Sequence, residues 1–278
     1  MIKLALMCEP FGTIRNLQER EDLELITSDE GVKQIKEHLG NPQWFDFDAC
    51  FVKIEEGEYK GTRGNGFGVN SFYWPARMDV DDPVAALRYH VECNRLGLDG
   101  DNSSVVLSWA FECYEKGLLT KEDTDGLELT WGNANAMIRM AEKLAYREGI
   151  GDLLADGVKE ASQKLGKGSE EFAIHMKGQD SADPYRIFKG WGFGVSTSPV
   201  AGRHLRGAVS SPVSMGPKGL DWSTYEYKNI PEVVFWQART KEIEDMVGVC
   251  VYVGTWSGVH ALEVSDYAAL SSSALGIE

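Results

Sequence analysis

Between residues 82 and 166, apolar side chains recur at every third or fourth position in four stretches, and a glycine closes each one. If these stretches are helices, each carries an apolar stripe, and four such stripes must be buried against one another. The pattern predicts a mainly α fold. Asp82-Pro83 reads as a helix start, with an N-cap followed by Pro at the first helical position. Val84, Leu87, Tyr89 and Val91 follow, and Gly97 is the stop. Asn102 or Ser103 is expected to open the second helix, which carries Val106, Leu107, Ala110, Phe111 and Tyr114 to Gly117. The third runs from Asn133 to Arg147 before Gly149, and the fourth from Asp152 to Leu165 before Gly166. Another begins at Pro231, carries Val234, Trp236 and Ile243, and ends near Gly248.

The remaining segments are less regular. Asp29 to Leu39 reads as a short helix, with Ser28 as cap and Gly40 as stop. The alternation Phe51-Val52-Lys53-Ile54-Glu55, followed by Gly57, predicts a short β-hairpin near residues 51–60 that returns through Tyr59. Gly61, Gly64, Gly66 and Gly68 then mark a sharply bending loop before Asn70. From about 176 to 220, glycines and prolines punctuate the chain and no helix is expected. Aromatics such as Trp191 and Phe193 in that stretch argue for a functional loop region rather than disorder. Three parts follow: an N-terminal segment (1–50), a helical domain with the hairpin (51–175), and glycine-rich loops with a C-terminal helical part (176–278).

Charge and motifs exclude several classes. The 28 Lys and Arg against 43 Asp and Glu give a net charge of −15, which repels nucleic acid and anionic membranes. Apolar runs are too short for a membrane helix, and Met1–Met7 is too short for a secretory signal. The cysteines Cys8, Cys50, Cys93, Cys113 and Cys250 are scattered, which suits neither a disulfide framework nor a zinc knuckle, so a cytoplasmic setting is expected. There is no phosphate loop, no G-x-S-x-G and no H-E-x-x-H. Cys93 and Cys113 read as inert core thiols; His90, His175 and His260 have no spaced partners; Trp191 and Trp256 are candidate pocket walls.

Two segments resemble each other. Asn94-Arg95-Leu96-Gly97-Leu98-Asp99 and Asp245-Met246-Val247-Gly248-Val249-Cys250 each place an Asx three residues before a helix-ending Gly. Local pattern alone makes them two C-caps; the alternative is a pair of turns holding the two halves of one pseudo-symmetric ligand. They resemble the paired pterin-binding motifs of the aldehyde ferredoxin oxidoreductase family, the tungsten bis-pterin enzymes. Glu115-Lys116-Gly117-Leu118-Leu119, Arg147 to Gly157, Lys177-Gly178-Gln179 and Ser198 to His204 are similar to the same family over residues 50 to 278.

The resemblance implies helical domain 2 and part of domain 3 of that fold. It implies Asn94, Leu98, Asp99, Arg206, Asp245 and Val251 as contacts of a tungstopterin or molybdopterin. It further implies His204 as a proton donor beside the metal, and Cys250 with Cys50 as ligands of a [4Fe–4S] cluster. The implied reaction oxidises an aldehyde to a carboxylic acid under anaerobic conditions, with electrons passing to ferredoxin. An aromatic acyl-thioester is the substrate in a related branch.

This sequence departs from the family pattern at several positions. Asn94 replaces Asp, Val200 replaces Arg, and Gln43 and Asp46 stand where two cluster cysteines are expected. The loop from Gly64 to Asn70 lacks the family's acidic residue, and no counterpart of its β-rich pterin-binding domain is present in these 278 residues. A second function is therefore carried forward: an incomplete or accessory subunit, acting as a helical scaffold for a partner chain that bears the pterin-binding domain.

Overall fold

The computed structural model describes residues 51–54, 56–65, 69–180, 188–209, 216–249, 254, 262 and 264–276. The helix expected at 29–39 lies outside them. The chain forms two units, meeting in sequence between Ile174 and His175, and both are mainly helical.

The first unit opens with the hairpin. β1 (Phe51–Lys53) pairs antiparallel with β2 (Arg63–Asn65), so the return strand lies beyond Tyr59. α1 (Val69–Ala76) begins just after the glycine-rich stretch, whose residues 66–68 lie outside the described residues. α2 (Pro83–Leu96) starts as read: Asp82 accepts a hydrogen bond from the Val84 N–H at 2.8 Å, and Pro83 follows. α3 begins at Gly100 rather than Asn102 or Ser103 and ends at Glu115. The cap is Asp99, whose carboxylate accepts from the N–H groups of Asp101 and Asn102.

α4 (Ala134–Tyr146) is capped by Asn133. The single helix expected at 152–165 is two, α5 (Ile150–Leu154) and α6 (Val158–Leu165), separated by Gly157 at φ 89°. Around the fully buried Tyr89, Leu107, Phe111, Met137, Met140 and Leu154, the apolar stripes of these helices form one core.

The second unit contains a two-residue hairpin, β3 (His175–Met176) and β4 (Gln179–Asp180), then α7 (Lys189–Thr197). A helix in this stretch overturns the expectation of none between 176 and 220. Among the described residues, a 3-10 turn (His204–Arg206), α8 (Ile230–Val247) and α9 (Val264–Leu275) follow. Val209, Trp222, Ile230, Val233 and Val234 make its core. No helix among the described residues is long and apolar enough to cross a membrane.

Candidate functional site

Each of the two similar segments closes a helix in the same backbone geometry. At the end of α2, Gly97 has φ 72° and ψ 24°; at the end of α8, Gly248 has φ 74° and ψ 26°. The Gly97 N–H donates to the Asn94 carbonyl and the Leu98 N–H to that of Cys93; Gly248 and Val249 repeat this with Asp245 and Glu244. These are Schellman caps, and the left-handed conformation explains the glycines. Among the described residues, a Cβ on either glycine would meet nothing within 4 Å.

In the first unit, Asn94 and Asp99 are exposed and Leu98 is half-buried. The Asn94 amide turns back along its own helix. Its Nδ2 donates to the His90 carbonyl at 3.0 Å and lies 3.1 Å from His90 Nε2. His90 stacks on Trp74, with ring centroids 5.4 Å apart. Trp74 also covers the start of α3, where a Cβ on Gly100 would lie 2.2 Å from the indole. Beneath the motif, Ser103 Oγ donates to the Asp99 carbonyl at 2.7 Å and, its hydrogen spent, accepts from the Tyr89 hydroxyl at 3.2 Å. Burial raises the phenol well above its ordinary pKa. Burial likewise pushes the Cys93 thiol up to about 11 and that of Cys113 to about 12, as expected of inert core thiols.

In the second unit, the 3-10 turn carries both His204 and Arg206, and Arg206 meets Asp245 at the end of α8. The Arg206 guanidinium donates to Asp245 at 2.9 Å, and the buried Lys241 ammonium pairs with the other carboxylate oxygen. His204 stacks on Trp191 with centroids 5.0 Å apart, so Trp191 walls the histidine. Beside Asp245, the fully buried Glu244 accepts from the Tyr267 hydroxyl at 2.9 Å, which ties α8 to α9. Burial, then the hydrogen bond to Glu244 and its charge, raises the Tyr267 pKa.

Asn94, Leu98 and Asp99 thus lie together at the end of α2 and the start of α3 in the first unit, while in the second Arg206 pairs with Asp245 and His204 sits two residues before Arg206 on the same 3-10 turn. Cys50 is the residue before β1, and it lies outside the described residues with Cys250, Val251, His260 and Trp256. No group of three or more His, Cys, Asp or Glu able to hold a metal is found among the described residues. His90 and Lys241 were missed as site residues. Each lies four residues before its motif's Asx, and that spacing is the signal that would have found them.

Each motif thus sets an Asx three residues before a left-handed glycine, Asn94 before Gly97 and Asp245 before Gly248. A family model described as "Aldehyde ferredoxin oxidoreductase, domains 2 & 3" matches residues 49–278. The tungsten-containing aldehyde ferredoxin oxidoreductase of Pyrococcus furiosus is 29% identical over 203 residues, covering 72% of this chain and 32% of that protein. From the same organism, the WOR-like subunit of an aliphatic sulfonate oxidoreductase is 34% identical over 180 residues, covering 59% and 28%. The chain thus spans about a third of the length of these relatives. Among solved structures, the active-site complex BamBC of benzoyl-coenzyme A reductase with 1,5-dienoyl-CoA matches with a TM-score of 0.57. It shares 20% identity, over 75% of this chain and 36% of that one, which is a likeness of fold.

Proposed function

Because the chain belongs to the aldehyde ferredoxin oxidoreductase family, we propose that it forms the helical part of a tungsten or molybdenum bis-pterin oxidoreductase. The observation that carries this reading is the pair of matched Schellman turns at Gly97 and Gly248, each with an Asx three residues earlier. Asn94, Leu98 and Asp99 would hold one pterin; Asp245, Arg206 and Val251 would hold the other. The bound metal–pterin centre supplies the redox chemistry. His204, kept in orientation by Trp191, donates a proton or hydrogen bond at the substrate oxygen.

Overall, an aldehyde and water give a carboxylic acid, with electrons leaving to ferredoxin. Cys250 and Cys50 are the residues this reading assigns to a [4Fe–4S] cluster. The named relatives include a subunit and the fold neighbour a complex, which supports a partner chain that contributes further pterin contacts. A cytoplasmic setting accompanies the reading.

A second reading is an accessory scaffold without its own cofactor. Asp245 favours it, because two cations already occupy this carboxylate. An aromatic acyl-thioester reductase is the alternative chemistry within the first reading.

The test is the chain purified anoxically with whatever copurifies from its native cells. Tungsten or molybdenum is measured by mass spectrometry, and pterin by fluorescence after oxidation. Metal and pterin in the complex, with His204→Ala slowing turnover about 10²–10⁴-fold at full metal content, support the first reading. A complex lacking both supports the scaffold.

A further inference from the structure

Where the family pattern has a carboxylate, this chain has Asn94, and the side chain is held in one orientation. One amide hydrogen goes to the His90 carbonyl at 3.0 Å, an acceptor that admits only a donor. The other faces His90 Nε2 at 3.1 Å. The oxygen Oδ1 therefore points away from α2 and accepts no hydrogen bond from any described residue.

For Nε2 to accept, the imidazole must be neutral and carry its hydrogen on Nδ1. Burial favours the neutral ring and lowers the His90 pKa, with no charged group contributing. Nδ1 is buried and finds no partner among the described residues, which is costly for an N–H. A phenyl ring would stack on Trp74 without that cost, so stacking alone does not explain an imidazole. Its Nε2 is the atom that earns its place.

We propose that His90 is a positioning residue that locks the Asn94 amide with its oxygen outward, so that the first motif offers an uncharged acceptor to the N–H edge of a neutral heterocycle. The ligand class rests on the pterin reading of this motif; the amide orientation does not. An aspartate at 94 is no equivalent, because its oxygens would face the His90 carbonyl and need a proton on Nε2 to approach the ring.

The full-length chain labelled with ¹⁵N tests the orientation directly, since ring-nitrogen shifts report the tautomer. Wild type is expected to show Nδ1–H with Nε2 bare, and Asn94→Asp to move the proton to Nε2. A wild-type ring protonated on Nε2 at neutral pH overturns the proposal. Fluorescence titration with 6-hydroxymethylpterin tests the consequence. His90→Phe, which keeps the stack, is expected to weaken binding about threefold to tenfold. His90→Gln, which retains an acceptor, is expected to restore most of it. Equal affinity of wild type and His90→Phe overturns the positioning role. Absence of binding by wild type, or affinity unchanged in Asn94→Leu, overturns the pterin reading and with it the ligand class, while the tautomer result stands separately.

Discussion

Arg206 donates to Asp245 at 2.9 Å across the gap between the 3-10 turn and α8, and Lys241 approaches the same carboxylate from one turn earlier on the helix. The acidic residue of the second motif is therefore the counter-ion of two cations, one of them a lysine whose side chain is only 9% exposed. Its role in holding the protein is separable from any role in holding a ligand.

Removal of Asp245 should show that separation. Asp245→Ala leaves the buried Lys241 ammonium without this partner, which costs at least the roughly 1–3 kcal/mol of an unpaired buried polar group and more because it is charged. The Arg206 pair adds little, because both its members are partly exposed and solvent-screened. Asp245→Asn keeps an acceptor and should lose less. Urea unfolding of the ligand-free chain at neutral pH measures both; an Asp245→Ala midpoint equal to wild type would show that Lys241 does not depend on this carboxylate.

Asp99 separates differently. As the cap of α3 it serves two backbone N–H groups, so Asp99→Ala should cost about 0.5–2 kcal/mol, while Asp99→Asn, an equally good cap, should cost almost nothing. Ligand binding should respond to charge instead. If pterin affinity falls in Asp99→Asn while the melting temperature stays put, the residue acts on the ligand; if both variants change only stability, Asp99 is a cap and no more.

Gly100→Ala is a third case. Alanine favours a helix over glycine by about 1 kcal/mol. Here the added Cβ would sit 2.2 Å from the Trp74 ring, and an overpacked site costs about 1–3 kcal/mol. The clash should win, and the indole should be displaced from its stack on His90 with a shift in tryptophan emission. In a Trp74→Ala background the same substitution should be neutral or stabilising, a non-additivity that a double-mutant cycle reads directly.

The helices of the first unit were legible because their signals are local. Asp82-Pro83 at one end and Gly97 at the other settle α2 without reference to anything distant. α3 starts two or three residues before the expected Asn102 or Ser103 because Asp99, a residue of the motif, is also the helix cap. α7 was missed for a tertiary reason. Gly190 and Gly194 look like loop punctuation, but a Cβ there would meet Val209 at 2.4 Å and the Ala208 backbone at 2.5 Å. These glycines let the helix lie close against the chain that follows the 3-10 turn, a packing demand that no window of sequence displays. The site shows the same division: the Asx-x-x-Gly turns were readable, whereas the Arg206–Asp245 pair joins residues 39 positions apart.

Acid titration offers a last test on a group outside both motifs. Asp156 on the first unit is paired with Arg147 and with Lys164, the latter at 2.8 Å, and these hydrogen bonds, Arg147 foremost, lower its pKa from 3.8 to about 2. A carboxylate whose folded pKa is depressed stabilises the native state fully above its unfolded pKa, and the contribution is lost as the pH falls toward the folded one. The difference in melting temperature between wild type and Asp156→Asn should therefore be constant from neutrality down to about pH 4 and shrink steadily toward pH 2. Because the group is exposed, the difference should be small and should diminish in added salt. A difference that instead grew on acidification would place the carboxylate in a site that disfavours its charge, contrary to the Arg147 and Lys164 contacts.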